Sequence, residues 1–491
     1  MDLLEIRKQN PWWESRQRIN EDPKLKDYDF ARIKWAPRLR KYIDLHKDVV
    51  YSIRGPRQVG KTTLMKLMIR ETLEKSNPAN CMYFSCDLVR DNSALSDLLE
   101  TYLTWVSALN NERVFIFLDE ISSVRDWQKA IKLFVDIHGN GNIMIMLTGS
   151  HTIDIKNSTE RLPGRVGERE HVQTHKIFLP MKFAEYVEMR SPELYQQVRG
   201  FRLDVAEERT KQFMALANGN IPPSANDLIR IVPELDALLD EYLITGGIMI
   251  AVNEYAGHKR ISTQTYEIYV RQLAGDMARI GREEKTAKLI LAAMLKRMGS
   301  TYSWNCIKKD AGIASQPTID QYVNLLQHMF VLAIYYKAET DGTVKHAGDK
   351  KVHILNPFIF HAIYGWLINP AQDTYQSAVE FITNPENKSR LIESVVADHL
   401  NRAVHNIRPT DNYDPSDFIF YFRTKKGHEV DFALKAQGGL FGFEVKYQNS
   451  INPEDFKGLA KLGKGCMVSR RELLQKGRFA VIPVSLFLVY V

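Results

Sequence analysis

Gly55-Pro56-Arg57-Gln58-Val59-Gly60-Lys61-Thr62 decides how the first part of this chain reads. The stretch fits the P-loop pattern G-x-x-x-x-G-K-[ST] at every defined position. Val49-Val50-Tyr51-Ser52-Ile53 before it reads as a strand, and Leu64-Met65-Lys66-Leu67-Met68-Ile69 after it as the start of a helix. The glycines let the backbone curl so that its N–H groups face phosphate oxygens, and the helix N-terminus adds partial positive charge at the same place. Lys61 is expected on the β- and γ-phosphates and Thr62 on a magnesium ion. The alternative is a chance glycine-rich turn, but strand, loop, lysine, hydroxyl and helix all occur in order.

About fifty residues on, Val114-Phe115-Ile116-Phe117-Leu118 is the kind of unbroken apolar run expected of a strand buried on both faces of a parallel sheet. It ends in Asp119-Glu120, a Walker B arrangement, with Asp119 for the metal and Glu120 as general base on a water. Cys81-Met82-Tyr83-Phe84-Ser85-Cys86-Asp87 reads as another strand, and Ile143-Met144-Ile145-Met146-Leu147 as a further one that ends in Thr148-Gly149-Ser150. Strands alternating with helices predict a parallel α/β sheet. Past the last strand, an arginine is placed to face a nucleotide and stabilise charge on the transferred phosphoryl group. Arg165 is the candidate finger, with Arg161 and Arg169 as alternates and a solvated surface role as the competing reading.

The remaining composition narrows the class. At 491 residues the chain exceeds a single core, and about two to four domains are expected. An apolar share of 44% and a charged share of 25% fit a globular protein. The net charge of +7 is compatible with nucleic acid without requiring it. Cys81, Cys86, Cys306 and Cys466 are too scattered for a disulfide framework and lack companions for zinc, so buried thiols are expected. No apolar run is long enough to cross a bilayer, and the charged N-terminus lacks a signal-peptide core. The expectation is a cytoplasmic protein with no membrane partner.

From Gly55 to Thr62, Asp119-Glu120, Leu147-Thr148-Gly149-Ser150 and Leu162-Pro163-Gly164-Arg165, this region resembles the AAA-type ATPases common in archaea and bacteria, distant relatives of origin-recognition ATPases. Asn10-Pro11-Trp12-Trp13 and Tyr242-Leu243-Ile244-Thr245-Gly246-Gly247 resemble the same group. Many relatives carry proline after the Gly-Gly pair, whereas this chain has Ile248-Met249-Ile250. The resemblance implies ATP and Mg2+ as cofactors, with Gly55, Pro56, Arg57, Gln58, Val59, Gly60, Lys61, Thr62 and Thr63 around the nucleotide. It also implies a polar residue beside the γ-phosphate, either Thr148 or Ser150, and a homo-oligomer such as a ring. A helical lid should follow the sheet, and Arg271 or Arg279 could serve from it.

Two further sections follow. Trp304–Gly312 and Ser315–Leu326 read as helices, and Val331–Tyr336 and Lys351–Leu355 as strands, which together make a winged helix-turn-helix. Gln316, Thr318, Gln321 and Asn324 would face base edges. Lys308, Lys309, Lys345, Lys350 and Lys351 are the nearby cations for phosphates, and a protein-contact role is the alternative. Near the C-terminus, Asp431 and Glu444-Val445-Lys446, with twelve residues between Asp431 and Glu444, match the D…(D/E)-x-K signature of restriction-endonuclease-like nucleases. Alternation puts Glu444 and Lys446 on one face of a strand. Glu393, on a preceding helix, would add a third carboxylate for a divalent metal. The competing reading is a solvated charged edge. Phe479–Val484 and Leu486–Val491 are both expected to complete the sheet.

The expected architecture is α/β, an AAA-type P-loop parallel sheet with a helical lid, winged helix-turn-helix and C-terminal restriction-endonuclease-like α/β domain. Its bounds are 1–190 (ATPase with N-terminal arm), 191–280 (lid), 281–360 (winged helix) and 361–491 (nuclease-like). Three functions stay open. One is an ATPase that binds, remodels or processes DNA. Another is a nucleotide-dependent switch on a protein assembly, with a terminal domain that only binds. The third is a metal-dependent nuclease gated by its ATPase part.

Overall fold

A computed structural model describes residues 2–139, 142–149, 174–368, 370, 372–407, 414–436 and 439–491. Arg161, Arg165 and Arg169, with Ser150, lie outside the described residues. The chain divides into two compact units, Met1–Leu179 and Pro180–Val491.

The first unit is built on five parallel strands: β1 (Val50–Arg54), β2 (Cys81–Ser85), β3 (Val114–Asp119), β4 (Ile143–Thr148) and β5 (His175–Ile177). Their order across the sheet is β2-β3-β4-β1-β5. Every residue of β1, β3 and β4 is buried, which explains the absence of polar alternation in their sequences. Helices α1 (Lys61–Lys75), α2 (Asn92–Leu109) and α3 (Trp127–His138) connect the strands. Leu98, Leu99, Ile131 and Phe134 pack against Ile116, Leu118 and Leu147 of the sheet. β5 is three residues long and two of them are polar, so no apolar run marks it in the sequence.

The Asn10-Pro11-Trp12-Trp13 segment protects the sheet's edge. β2 is the edge strand, and an uncovered edge exposes unpaired peptide groups. Asn10 supplies what a neighbouring strand would: its Nδ2 donates to the Tyr83 carbonyl at 2.8 Å and its Oδ1 accepts from the Tyr83 N–H at 2.7 Å. Trp12 and Trp13 both donate their indole N–H to the Cys81 carbonyl, at 2.8 and 2.9 Å.

The second unit begins with seven α-helices between Phe183 and Arg279. Next come α4 (Glu284–Leu295), β6 (Thr301–Tyr302), α5 (Trp304–Ala311) and α6 (Gln316–His328). They are followed by β7 (Leu332–Tyr335), β8 (Lys337–Ala338), β9 (Val344–Lys345) and β10 (Lys350–Ile354). β10 lies between β6 and β7 in a three-stranded antiparallel sheet. Beyond a long helix α7 (Pro385–Ile407) come β11 (Ile419–Arg423), β12 (Glu429–Ala436), β13 (Gly439–Lys446), β14 (Gly465–Ser469), β15 (Leu474–Lys476) and β16 (Phe479–Pro483). With β8 and β9 they form an eight-stranded sheet ordered β15-β16-β14-β13-β12-β11-β8-β9. The β8–β9 hairpin joins that sheet through β8, which pairs in parallel with β11.

The tail departs from expectation. Phe479–Pro483 is a strand, but Val484–Tyr490 is a helix, α8, and every residue in it is buried. An apolar run carries no period to separate buried strand from buried helix. Pro483, at the N-cap with φ −58°, makes the switch, since its ring suits a helix start and lacks a ladder N–H.

Candidate functional site

The loop between β1 and α1 turns where its glycines stand. Gly60 has φ +99°, a left-handed conformation that side chains resist, and α1 begins at the next residue. Gly55 meets a different constraint: a Cβ there would lie 1.9 Å from the Phe178 carbonyl oxygen. Lys61 is buried, and its Nζ donates to the carbonyls of Gly55 and Pro56, both at 2.9 Å. Val59 is buried, whereas Thr63, in the first turn of α1, is half-buried.

Asp119, 3% exposed, is the hub. Thr62 Oγ1 donates to its Oδ2 at 2.7 Å, and the Tyr83 hydroxyl donates to the same oxygen at 3.2 Å. Oδ1 accepts from the Thr148 hydroxyl and, at 3.1 Å, from the Glu120 N–H. Parallel register produces this convergence. Ser85 pairs with Asp119 and Ile53 with Thr148, so β1 to β4 all end at one level. The next residue, Glu120, adopts φ +50°, a conformation that is uncommon outside glycine and concentrates at functional sites. Its Oε1 lies 3.7 Å from Arg57 Nη1 of the loop.

Chemically, the loop offers backbone N–H groups and an ammonium to a polyphosphate. The Thr62 hydroxyl and an Asp119 oxygen, already within hydrogen-bond reach of each other, are the hard oxygen donors that Mg2+ takes. Tyr83 was not legible as part of this site. Its neighbours in sequence are apolar, and burial with the Asp119 charge pushes its hydroxyl well above the ordinary tyrosine range.

A second ionic cluster occupies the other unit. Glu393 comes from α7, Asp431 from β12, and Glu444 and Lys446 from β13. Asp431 and Glu444 sit on paired strands and lock together: Asp431 N–H donates to Glu444 Oε2 at 3.1 Å, and Val445 N–H to Asp431 Oδ2 at 2.8 Å. Lys446 Nζ contacts Glu444 Oε1 at 2.6 Å. So the structure brings all four together.

It also adds a residue the sequence pattern does not contain. Lys351 of β10 sends its Nζ to 2.5 Å from Asp431 Oδ1, 2.6 Å from Glu393 Oε1 and 3.1 Å from Glu429 Oε1. The Glu393 contact has the distance of an ion pair but not the alignment of a hydrogen bond. His353, two residues on, lies 3.4 Å from the same Glu393 oxygen and 3.1 Å from Ser394 Oγ. Burial, reinforced by the Lys351 charge, pushes His353 down to about 3, so it is neutral. Burial and the Asp431 charge raise Glu393 to about 7 and Glu444 to about 8. Burial also pushes Asp431 up, but the Lys351 and Lys446 charges outweigh it and hold that carboxyl low. Lys351 is raised because the three carboxylates overcome its desolvation. A divalent metal does not fit this arrangement, because an ammonium already stands among its would-be ligands.

The expected cations beside α6 therefore need correction. Lys351 is 1% exposed and committed to carboxylates, and Lys350 is buried with its Nζ 5.2 Å from the Trp304 ring and 5.7 Å from that of Tyr336. Lys309 and Lys345 are exposed and Lys308 is half-buried. Of the residues expected to read bases, Gln316 and Gln321 are exposed and Thr318 is half-buried. Asn324 donates to Asp320 at 3.0 Å. Arg271 pairs with Glu267 one turn earlier on its helix, at 2.9 Å, and Arg279 is exposed. Among the described residues no helix is long and apolar enough to cross a membrane.

Comparison with known proteins agrees with the first unit. Residues 47–187 match the AAA domain family. Residues 236–368 and 388–487 match two domains of unknown function, DUF8612 and DUF4143. Among solved structures, the Walker-type ATPase PABY2304 of Pyrococcus abyssi aligns at 15% identity over 70% of this chain and 95% of its own, with a TM-score of 0.35. The Orc1 protein of Aeropyrum pernix, solved in complex with DNA, aligns at 13% identity over 74% and 97%, with a TM-score of 0.32. Likeness at this level settles nothing by itself, and the fold rests on the parallel sheet and its loop. The uncharacterized protein MJ1637 of Methanocaldococcus jannaschii is 31% identical over 96% of this chain and 91% of that protein. Agreement of that extent places this AAA-domain chain in the same family as MJ1637.

Proposed function

We propose that this chain hydrolyses ATP and couples the turnover to binding, remodelling or processing of DNA. The observation that carries the ATPase part is the convergence of Thr62, Tyr83, Thr148 and the Glu120 N–H on Asp119, at the foot of a loop that begins α1 with Lys61. Lys61 would leave its loop carbonyls for the β- and γ-phosphate oxygens. Bound Mg2+, held by Thr62 and Asp119, would neutralise phosphate charge. Glu120 would take a proton from the attacking water, with Thr148 helping to place that water. Arg165 is retained as the proposed finger, from a neighbouring copy in a homo-oligomer or from its own chain.

Support for DNA is chemical: a net charge of +7, and exposed Gln316 and Gln321 on α6 with exposed Lys309 and Lys345 in the same section. The bounds 1–190, 191–280, 281–360 and 361–491 are part of the proposal, as are the lid and winged-helix roles. One experiment tests it: ATP turnover of the wild type and of Glu120→Gln on single-stranded, duplex and branched DNA, with size measured in ATP. We expect stimulation by at least one DNA class. Glu120→Gln should bind ATP yet turn over roughly a hundredfold or more slowly. A rate indifferent to every DNA favours the second reading, a nucleotide-dependent switch on a protein assembly. Wild-type turnover in Glu120→Gln would move the base elsewhere.

A further inference from the structure

We infer that the Lys351 ammonium stands where a divalent ion would sit in the Glu393–Asp431–Glu444 cluster, so that this cluster is neutralised from within and works without metal. The inference is independent of the ATPase reading and rests on three observations.

First, the nitrogen sits between two carboxylates of the cluster. Nζ lies 2.5 Å from Asp431 Oδ1 and 2.6 Å from Glu393 Oε1, with Glu429 Oε1 beside it at 3.1 Å. Second, the oxygens of Asp431 and Glu444 are already engaged. Asp431 gives Oδ1 to Lys351 and Oδ2 to the Val445 N–H. Glu444 gives Oε1 to Lys446 and Oε2 to the Asp431 N–H. Each oxygen of the pair that would chelate an ion thus has a protein donor. Third, the lysine cannot swing into water without being replaced. Its side chain is 2% exposed, and its Nζ lies 5.9 Å from the centre of the Phe432 ring. Mg2+ dehydrates reluctantly and keeps several waters, which a site this buried does not offer.

Lys351 reaches the cluster from β10, a strand of the three-stranded sheet, whereas Asp431 and Glu444 belong to the eight-stranded one. The consequence is functional. The terminal region would hold its partner without cutting it through a metal at this cluster.

The test counts Mn2+ ions bound by the full chain, without nucleotide, by calorimetry and by the electron paramagnetic signal of free Mn2+. Wild type and Asp431→Asn should bind equally. A site present in the wild type and lost in Asp431→Asn would overturn the inference. Lys351→Met keeps the stem and removes the charge, and it should gain one Mn2+ site that Lys351→Met/Asp431→Asn lacks. If folded Lys351→Met gains none, the carboxylates are not ligands in waiting and the inference fails. Should that variant not fold, the wild-type comparison still decides. The same holds for plasmid nicking in Mn2+, where activity that depends on Asp431 would refute the inference.

Discussion

Lys61 and Lys351 are both buried ammonium groups near acidic motifs, yet their contacts differ. Lys61 donates to two peptide carbonyls of its own loop, neutral acceptors at 2.9 Å. Lys351 is gripped by three carboxylates. Exchanging a neutral hydrogen bond for one to phosphate alters stability by about 1 kcal/mol per bond. Taking the partner from a buried ion pair costs about 3–5 kcal/mol. The two carbonyl contacts of the first lysine can therefore be exchanged for an arriving anion, whereas the second serves as fixed structure. A signature motif names the residue types and leaves open which of these two states they are in.

The largest expected effect separates the two lysines directly. Lys351→Ala leaves the buried Asp431, and Glu393 with it, without their shared cation. It should lower the stability of the second unit by about 3–5 kcal/mol, read as lost amide protection on β12 and β13 in hydrogen exchange. Lys61→Ala should cost no more than about 1–2 kcal/mol in the first unit, while ATP binding is lost. Wild-type protection in Lys351→Ala, or retained ATP binding in Lys61→Ala, would break the comparison.

A smaller effect comes from pH. Glu444 is raised from its ordinary 4.5 to about 8, first by burial and then by Asp431. A carboxyl raised on folding binds more protons in the folded chain. Its stabilising contribution is present below about pH 4.5 and is lost as pH rises through about 8. Protection on β13 should accordingly fall between these limits in the wild type. Glu444→Gln, which cannot ionise, should flatten that fall by on the order of 1–3 kcal/mol. An identical slope in both proteins would place the titration elsewhere. Asp431, held low by Lys351 and Lys446, acts in the opposite sense and only at more acid pH.

These two sites also differ in how far the sequence discloses them. The nucleotide loop is legible because its parts are local: Gly55 to Thr62 lie in one turn, and β3 delivers Asp119 at the end of an apolar run. Tyr83 escapes because its neighbours in β2 give no polar signal, and only the strand order brings its hydroxyl to Asp119. Asp431 and Glu444 are legible from their resemblance to the D…(D/E)-x-K signature, and Glu393 as a carboxylate within the preceding amphipathic helix. Lys351 is not, since it stands 80 residues from Asp431 and shares no local pattern with it. Read by charge alone, it looks like a cation for phosphate. The helix Val484–Tyr490 is hidden for a simpler reason: buried helices and buried strands are equally apolar.

Tyr83→Phe should give the smallest effect and sharpens the account of the nucleotide site. Its hydroxyl reaches Asp119 Oδ2 at 3.2 Å, an oxygen that Thr62 already meets at 2.7 Å. The ring does separate work: Lys66 Nζ lies 3.2 Å from its centre and 3.1 Å from Asp22 Oδ2. Phenylalanine keeps the ring and removes only the hydroxyl, so the loss should be about 1 kcal/mol, roughly fivefold in kcat, with KM little changed. Because the hydroxyl is pushed above the ordinary tyrosine range, it stays protonated wherever the enzyme is assayed, and the ratio of variant to wild-type rates should not vary with pH. A loss near a hundredfold, or one that grows with pH, would mean that Tyr83 handles a proton in the reaction instead of orienting Asp119.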